Sequence, residues 1–384
     1  MEHLLNKNVK EIEISGIRKF FNMVSDKKDT LSLTIGQPDF YTPDHIKEAA
    51  KHAIDMNKTT YTHNAGLLQL REEIANAVHA DYQLEYNPNN EIIVTVGASQ
   101  AIDIALRTII EVGDEVLLPG PVYPGYEPLI KLSGGKPIYI DTTDSNFKIT
   151  PEKLKKHITS KTKCVILPYP SNPTGVTLMK KELEEIAKVI EHENIFVIAD
   201  EIYSQLTYDI PHYSIASINE QMKQKTIVIN GLSKSHAMTG WRIGYTLAPS
   251  WLTQHMLKVH QYNVSCATSI SQYAAIEALT NGKQDPVTMK QSYHSRRDYV
   301  YNRLTDMGLD VVKPDGAFYF FIKIDTNLSS FDFALDLVED VGLALVPGSA
   351  FSNYGEGYLR LSYAYSIETL EDGLNRLEAF SKKQ

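Results

Sequence analysis

Between Ile92 and Leu247, short runs rich in β-branched residues alternate with stretches whose apolar positions recur at helical spacing. The runs Ile92–Val96, Glu115–Leu118, Lys136–Ile140, Lys163–Leu167, Ile195–Ala199, Thr226–Ile229 and Arg242–Leu247 read as strands, and Lys180–His192 as an amphipathic helix between two of them. That rhythm predicts βαβ units and a mostly parallel sheet flanked by helices on both faces. After about Asp285 the pattern changes. Asp285–Met307 reads as a long polar helix, followed by strand-like Ala317–Ile324, helical Phe331–Asp340, strand-like Leu343–Val346 and Tyr358–Ser362, and a helix from Ile367. This tail predicts a second, smaller α+β unit that packs with the N-terminal segment. The expected division is a large unit of residues 46–284 and a small one made of 1–45 and 285–384.

Composition narrows the class. With 43% hydrophobic and 22% charged residues, the 384-residue chain has the make-up of a globular protein with material for a sizeable core. The formal net charge of −9 argues against general attraction to nucleic acid or anionic membranes. The first twenty residues carry scattered charges and lack an apolar core segment, so neither a signal peptide nor an anchor is expected there. No apolar run approaches the roughly 18 residues that span a bilayer. A cytoplasmic location is the expectation. Two cysteines imply no disulfide framework, and the 12 histidines show no HExxH or paired spacing, so no metal site is expected. The basic run His294-Ser295-Arg296-Arg297 reads as a solvated helix face.

The candidate chemistry lies where strands end, which is where open α/β sheets bind ligands. Val96 runs into Gly97-Ala98-Ser99-Gln100 and then a helical pattern. Small residues at such a turn let backbone N–H groups and the helix N-terminus meet an anion, although a plain capped turn has the same sequence. The next strand opens into PGPVYPGY, whose Tyr123 and Tyr126 either pack into the core or present a ring for stacking. Then comes PYPSNPTG, in which prolines on both sides hold Asn172 in a fixed orientation. The strand IFVIAD ends in Asp200, followed by Glu201, Ile202 and Tyr203. An acid ending an apolar strand either caps the next element or needs a cationic partner. Finally, GLSKS places Ser233 and Lys234 after a β-branched strand, with Arg242 eight residues on in TGWRIGY. Each feature is weak alone. In succession they supply a nucleophilic amine, a buried acid, an amide, phenols, an anion cradle and an arginine.

With IGQPDF, YTHNAGLLQLR, VGASQAI, ADEIY, PDGAFYF and YLRLSYA added, the chain resembles the class I and II aminotransferases, the fold-type-I enzymes that use pyridoxal 5′-phosphate, from Ile35 to Ala364. IEISGIRKF, VHQYNVSCATSISQ and ALVPGSAFSNYGEGY are further similar to bacterial N-acetyl-LL-diaminopimelate aminotransferases. The resemblance implies a large domain with a seven-stranded sheet and a small α+β domain. It assigns Lys234 as the catalytic base and the lysine that holds the cofactor as a Schiff base. Asp200 pairs with the ring nitrogen, and Asn172 and Tyr203 bond the phenolic oxygen. Tyr123 stacks on the ring. Ala98, Ser99, Ser233 and Arg242 hold the phosphate. Tyr61 reaches the phosphate of a neighbouring subunit, implying a homodimer with shared sites. Arg360, with Gly36 and Asn172 beside it, takes the substrate α-carboxylate.

The implied reaction is ping-pong transfer of an amino group between glutamate and a keto acid, N-acetyl-L-2-amino-6-oxopimelate by the closer resemblance. An aromatic or aspartate aminotransferase, or a C–S β-lyase, would use the same cofactor residues. A cofactor-sensing transcription regulator would need a DNA-binding domain, for which fewer than twenty residues precede the first family-like segment. One departure stands out. Where relatives often carry a hydroxyl three places before the lysine, this chain has Gly231.

Overall fold

The structure is a computed structural model that describes residues 1–24, 27 and 29–383. Four residues of the expected small unit (Ser25, Asp26, Lys28 and Gln384) lie outside the described residues. In chain order the strands are β1 (Leu31–Ser32), β2 (Ile92–Thr95), β3 (Glu115–Gly120), β4 (Lys136–Asp141), β5 (Thr162–Leu167), β6 (Phe196–Asp200), β7 (Thr226–Gly231), β8 (Gly244–Leu247), β9 (Tyr319–Lys323), β10 (Leu343–Ala344), β11 (Val346–Pro347) and β12 (Tyr358–Ser362).

The central sheet runs β2-β8-β7-β6-β5-β3-β4. Its five strands from β7 to β4 are parallel, and β8 lies antiparallel to both β7 and β2. Successive side chains of a strand point to opposite faces, and here both faces are apolar. Leu117, Val165, Leu167, Val197 and Val228 join the core on one side. Val116, Cys164, Ile166, Ile198 and Ile227 join that on the other. Strands buried on both sides explain why the sequence shows continuous apolar runs rather than alternation. Each such side chain, fully removed from water, contributes about 1.5–3 kcal/mol.

A three-stranded sheet, β11-β12-β9, carries the rest of the C-terminal region. Its core includes Phe318, Phe320, Leu359 and Leu361, and Phe20, Val24 and Leu33 of the N-terminal segment pack into the same cluster. Leu31 and Ser32 also pair with Leu343 and Ala344.

Three expectations need correction. The stretch Leu343–Val346 is two short strands, not one. Leu343–Ala344 pairs with β1, and Val346–Pro347 pairs with β12. Proline at 347 has no N–H to extend a ladder. The strand expected from Arg242 begins at Gly244, because Arg242 has φ 51° and ends a short 3-10 turn, Thr239–Trp241. The basic run in the helix Asp285–Asp306 is not a solvated face. Arg297 is 1% exposed, paired with Asp209 and Asp298 and seated over the ring of Tyr208, and Arg296 pairs with Asp39. Acids from a distant segment, Asp209, and from the neighbouring position, Asp298, make the burial of Arg297 tolerable. Both cysteines are free. Among the described residues, no helix is long and apolar enough to cross a membrane.

Candidate active site

A cavity of about 720 Å³ opens where the carboxyl ends of the parallel strands face the small sheet and the N-terminal segment. Every site residue expected from the sequence lines it, except Tyr61. Tyr61 stands 87% exposed, away from the cavity of its own chain.

One end of the cavity is an anion cradle. The chain leaves β2 and turns at Gly97, with φ +73°, straight into the helix Gly97–Ile109. A Cβ at Gly97 would strike the Arg242 guanidinium, so glycine is what permits the arginine to lie beneath the helix start. Arg242 Nη1 is anchored by donating to Thr239 O at 3.1 Å. Ala98, Ser99 and Ser233 border the same space. Free N–H groups of a helix start, an arginine fork and two hydroxyls together make a phosphate site. The absent hydroxyl at Gly231 has a steric cause. A side chain there would press on the backbone of Ile243 and Gly244, with contacts of 2.8 and 2.9 Å already at Cβ.

In the middle lie Lys234 and Asp200. Lys234 Nζ donates to Gly36 O at 2.6 Å and sits over the rings of Tyr203 and Phe318. Burial, reinforced by the positive charges of Arg360 and Arg242, lowers its pKa to about 8, against the pull of Asp200. Asp200 is 6% exposed. Its Oδ2 accepts from the Tyr126 hydroxyl at 2.7 Å and its Oδ1 from Ile202 N–H at 3.2 Å. Burial raises its pKa, and these two hydrogen bonds work against that rise. The cationic partner expected for Asp200 is therefore not in direct contact within the chain; neutral donors hold the carboxylate instead. Tyr123 stands edge-on to Tyr126, ring centroids 5.5 Å apart.

At the other end Arg360 is 2% exposed. Its Nη1 donates to Asn172 Oδ1 at 3.0 Å and its Nη2 to Thr34 O, while its Nε has no partner among the described residues. Its guanidinium stacks 4.5 Å from the centre of the Tyr319 ring. Burial lowers its pKa. A buried guanidinium without a carboxylate partner is a ready seat for an anionic group. Tyr203 shares a 2.8 Å hydrogen bond with the Tyr319 hydroxyl. The sequence singles out neither Tyr319 nor, beside the expected stacking ring Tyr123, Tyr126. The motif PGPVYPGY held Tyr126, but only the fold shows which ring turns toward Asp200.

The description "Aminotransferase class I and II" matches residues 28–377, and the chain belongs to that family. It is 60% identical to the probable N-acetyl-LL-diaminopimelate aminotransferase of Bacillus subtilis (strain 168), over 100% of this chain and 97% of that one. It is 46% identical to an aspartate aminotransferase of Pyrococcus abyssi, covering 95% of each. Among solved structures it superimposes on an aromatic aminotransferase from Pyrococcus horikoshii with a TM-score of 0.90, at 44% identity, over 96% of this chain and 99% of that one. The chain therefore has the fold-type-I architecture and is a pyridoxal-5′-phosphate-dependent transaminase.

The site suits that cofactor on its own evidence. The cradle under Gly97 offers the helix-start N–H groups, hydroxyls and guanidinium that a dianionic phosphate requires. Asp200 is a buried carboxylate with no cation in contact among the described residues, as a protonated ring nitrogen requires. The lysine between them has a depressed pKa, which favours the free amine. Among the described residues no cluster of His, Cys, Asp or Glu could hold a metal ion.

Proposed function

We propose that this transaminase moves amino groups between glutamate and N-acetyl-L-2-amino-6-oxopimelate, forming N-acetyl-LL-diaminopimelate. The observation that carries the reading is the 60% identity, over essentially both full lengths, to a relative named for that substrate. Relatives named for aspartate and aromatic substrates share 46% and 41% identity. A cofactor site held in common cannot separate these substrates, so the preference rests on the closer kinship.

Bound pyridoxal phosphate supplies an aldehyde that condenses with amines and a cationic ring that draws electron density from the substrate carbon. The remaining work belongs to the protein. Arg242, Ser99, Ser233 and the helix start at Ala98 bind the phosphate and set the ring's position. Tyr123 covers one ring face. Asp200, steadied by Tyr126, keeps a proton on the ring nitrogen. Asn172, whose Oδ1 is taken by Arg360, has its NH2 left to donate to the phenolic oxygen, and the Tyr203 hydroxyl bonds the same atom. Arg360 binds the α-carboxylate, which orients the Cα–H bond. Lys234, whose lowered pKa of about 8 leaves a substantial share of its amine free near neutral pH, moves the proton from that carbon. Gly36 O accepts a hydrogen bond from Lys234 and places it on the side of the cavity where the carboxylate binds.

Two further parts belong to this reading. The catalytic unit is a homodimer in which Tyr61 of each chain completes the phosphate site of the other, and its outward position supports that. Residues 46–284 form the cofactor-binding domain, and residues 1–45 with 285–384 form the small domain. The packing of Phe20, Val24 and Leu33 among C-terminal residues supports that grouping.

The test is a half-reaction screen. Cofactor-loaded enzyme receives one amino acid at a time while the visible band of the aldehyde form is followed. Conversion by both glutamate and N-acetyl-LL-diaminopimelate is expected. Conversion by glutamate with aspartate or aromatic amino acids alone would reassign the substrate. Release of pyruvate and ammonia from a sulfur amino acid would reveal lyase chemistry.

A further inference from the structure

The helix Gly16–Val24 has two faces with different duties. Phe20 and Val24 are buried in the core around the small sheet. Gly16 lies against Ala350, where a Cβ would already come within 3.0 Å of its neighbour. On the other side Ile17, Arg18 and Phe21, spaced at helical intervals, line the active-site cavity. One face thus locks the helix in place, and the other is a wall of the substrate space.

The charges of that space do not balance. Among the described residues lining the cavity, the cations are Arg18, Lys234, Arg242 and Arg360, and the one carboxylate is Asp200. In the reading above, Lys234 is the working amine, Arg242 meets the phosphate and Arg360 meets the α-carboxylate. Arg18 has no task. It is exposed, and among the described residues no acid pairs with it. The nearby Glu13 is held by Lys19 at 2.7 Å. Arg360 lies deep, at 2% exposure, whereas Arg18 is exposed to solvent. The apolar Ile17, Phe21 and Ile35 line the same cavity, the last two each 38% exposed. An inner guanidinium, an apolar wall and an outer guanidinium complement an amino acid whose methylene side chain ends in a second carboxylate.

We propose that Arg18 is a specificity-determining residue that binds the distal carboxylate of dicarboxylic substrates while Arg360 holds the α-carboxylate. The inference rests on the reading of Arg360 as the α-carboxylate residue. It explains how a substrate as long as N-acetyl-LL-diaminopimelate is gripped at both ends, and it places the discriminating charge on the N-terminal helix rather than on the sheet.

The experiment uses two inert probes, pimelate and heptanoate, which have the same chain length but differ by one carboxylate. Their Kd values are measured by calorimetry on the cofactor-loaded wild type, Arg18→Gln and Arg18→Lys. The wild type is expected to bind pimelate roughly tenfold or more tighter than heptanoate, the scale of one charge-assisted hydrogen-bonded contact. Arg18→Gln should collapse that ratio to about one, with Arg18→Lys restoring part of it. An unchanged ratio in Arg18→Gln overturns the proposal. So does an equal loss for both probes, which would make Arg18 a support for the helix. Turnover separates the two readings. A wild type that prefers pimelate through Arg18 yet ignores N-acetyl-LL-diaminopimelate keeps the Arg18 assignment and loses the substrate reading.

Discussion

The Tyr126 hydroxyl donates to Asp200 Oδ2 at 2.7 Å, so the acid proposed to pair with the cofactor's ring nitrogen is held by a phenol that is itself only 2% exposed. Burial drives the Asp200 pKa upward, and this bond restrains it. Tyr126→Phe should therefore push the Asp200 pKa further up and weaken its hold on the ring proton. The expected outcome is a fall in kcat/KM of about tenfold, with cofactor still bound. Asp200→Ala should lose nearly all turnover. Steady-state kinetics alongside absorbance of bound cofactor checks both, and a Tyr126→Phe enzyme with wild-type kcat/KM would remove the phenol from the mechanism.

The lowered pKa of Lys234, to about 8, bears on how the empty protein captures its cofactor. The free amine is the nucleophile. Below the pKa its fraction rises about tenfold per pH unit and above it saturates. The rate of colour development on adding pyridoxal phosphate to stripped protein should climb through pH 6 and 7 and level off above about pH 8. Lys234→Ala should develop no such band at any pH.

Gly231→Ser tests whether the missing phosphate hydroxyl is an omission or a constraint. The backbone of Ile243 and Gly244 occupies the space a side chain needs. The substitution is expected to cost about 1–3 kcal/mol, the range of overpacked cores, seen as a lower Tm. Tighter cofactor binding with an unchanged Tm would show that the space exists.

His45 binds Glu277 through Nδ1 and Asp285 through Nε2, each at 2.9 Å, tying the helix Asp44–Asp55 to the helices Ser269–Thr280 and Asp285–Asp306. Burial lowers its pKa, but the two carboxylates more than reverse that, and the net shift is upward from 6.5. A group with a raised folded pKa gives its full stabilisation below the unfolded value and loses it as pH rises through the folded one. His45→Gln should thus lower Tm more at pH 6 than at pH 9. Equal losses at both would mean the imidazole acts by packing alone.

Tyr61 and Lys234 should complement each other across subunits. Neither Tyr61→Phe nor Lys234→Ala homodimers contain an unimpaired site, but a mixed dimer places both lesions in one site and leaves the other whole. Titrating one variant with the other should restore activity toward half of the wild-type value per hybrid dimer. A mixture no more active than the sum of its parts would confine the site to one chain.

Much of this was legible in the sequence, for identifiable reasons. Strands buried on both faces leave unbroken apolar runs, so all seven strands of the main sheet could be marked out within a few residues. Asn172, Asp200 and Lys234 stand where those runs stop against Gly, Pro and Ser, and the sheet gathers them. Arg360 and Gly36 came from family likeness, because nothing in their local pattern distinguishes them. Tyr319 and Tyr126 looked like ordinary aromatics, and their roles depend on which ring faces which acid or guanidinium. Nothing in the local pattern marks Arg18, and only the fold turns its helix toward the cavity. Arg297 misled in the opposite sense, since the acids that permit its burial come from Asp209, far away in sequence, as well as from its neighbour Asp298.

The pairing of Leu31–Ser32 with Leu343–Ala344, and the bond from Arg360 to Thr34 O, have a consequence for the order of events at synthesis. The segment that carries Gly36 and the cavity wall is made before the main sheet, yet its strand partner and its arginine are made after it. The sheet, with Lys234 following β7, has all its strands before then. The main sheet can thus form before the cavity wall finds its later-made partners, and the proposed substrate pocket is completed only by contacts that close across most of the sequence.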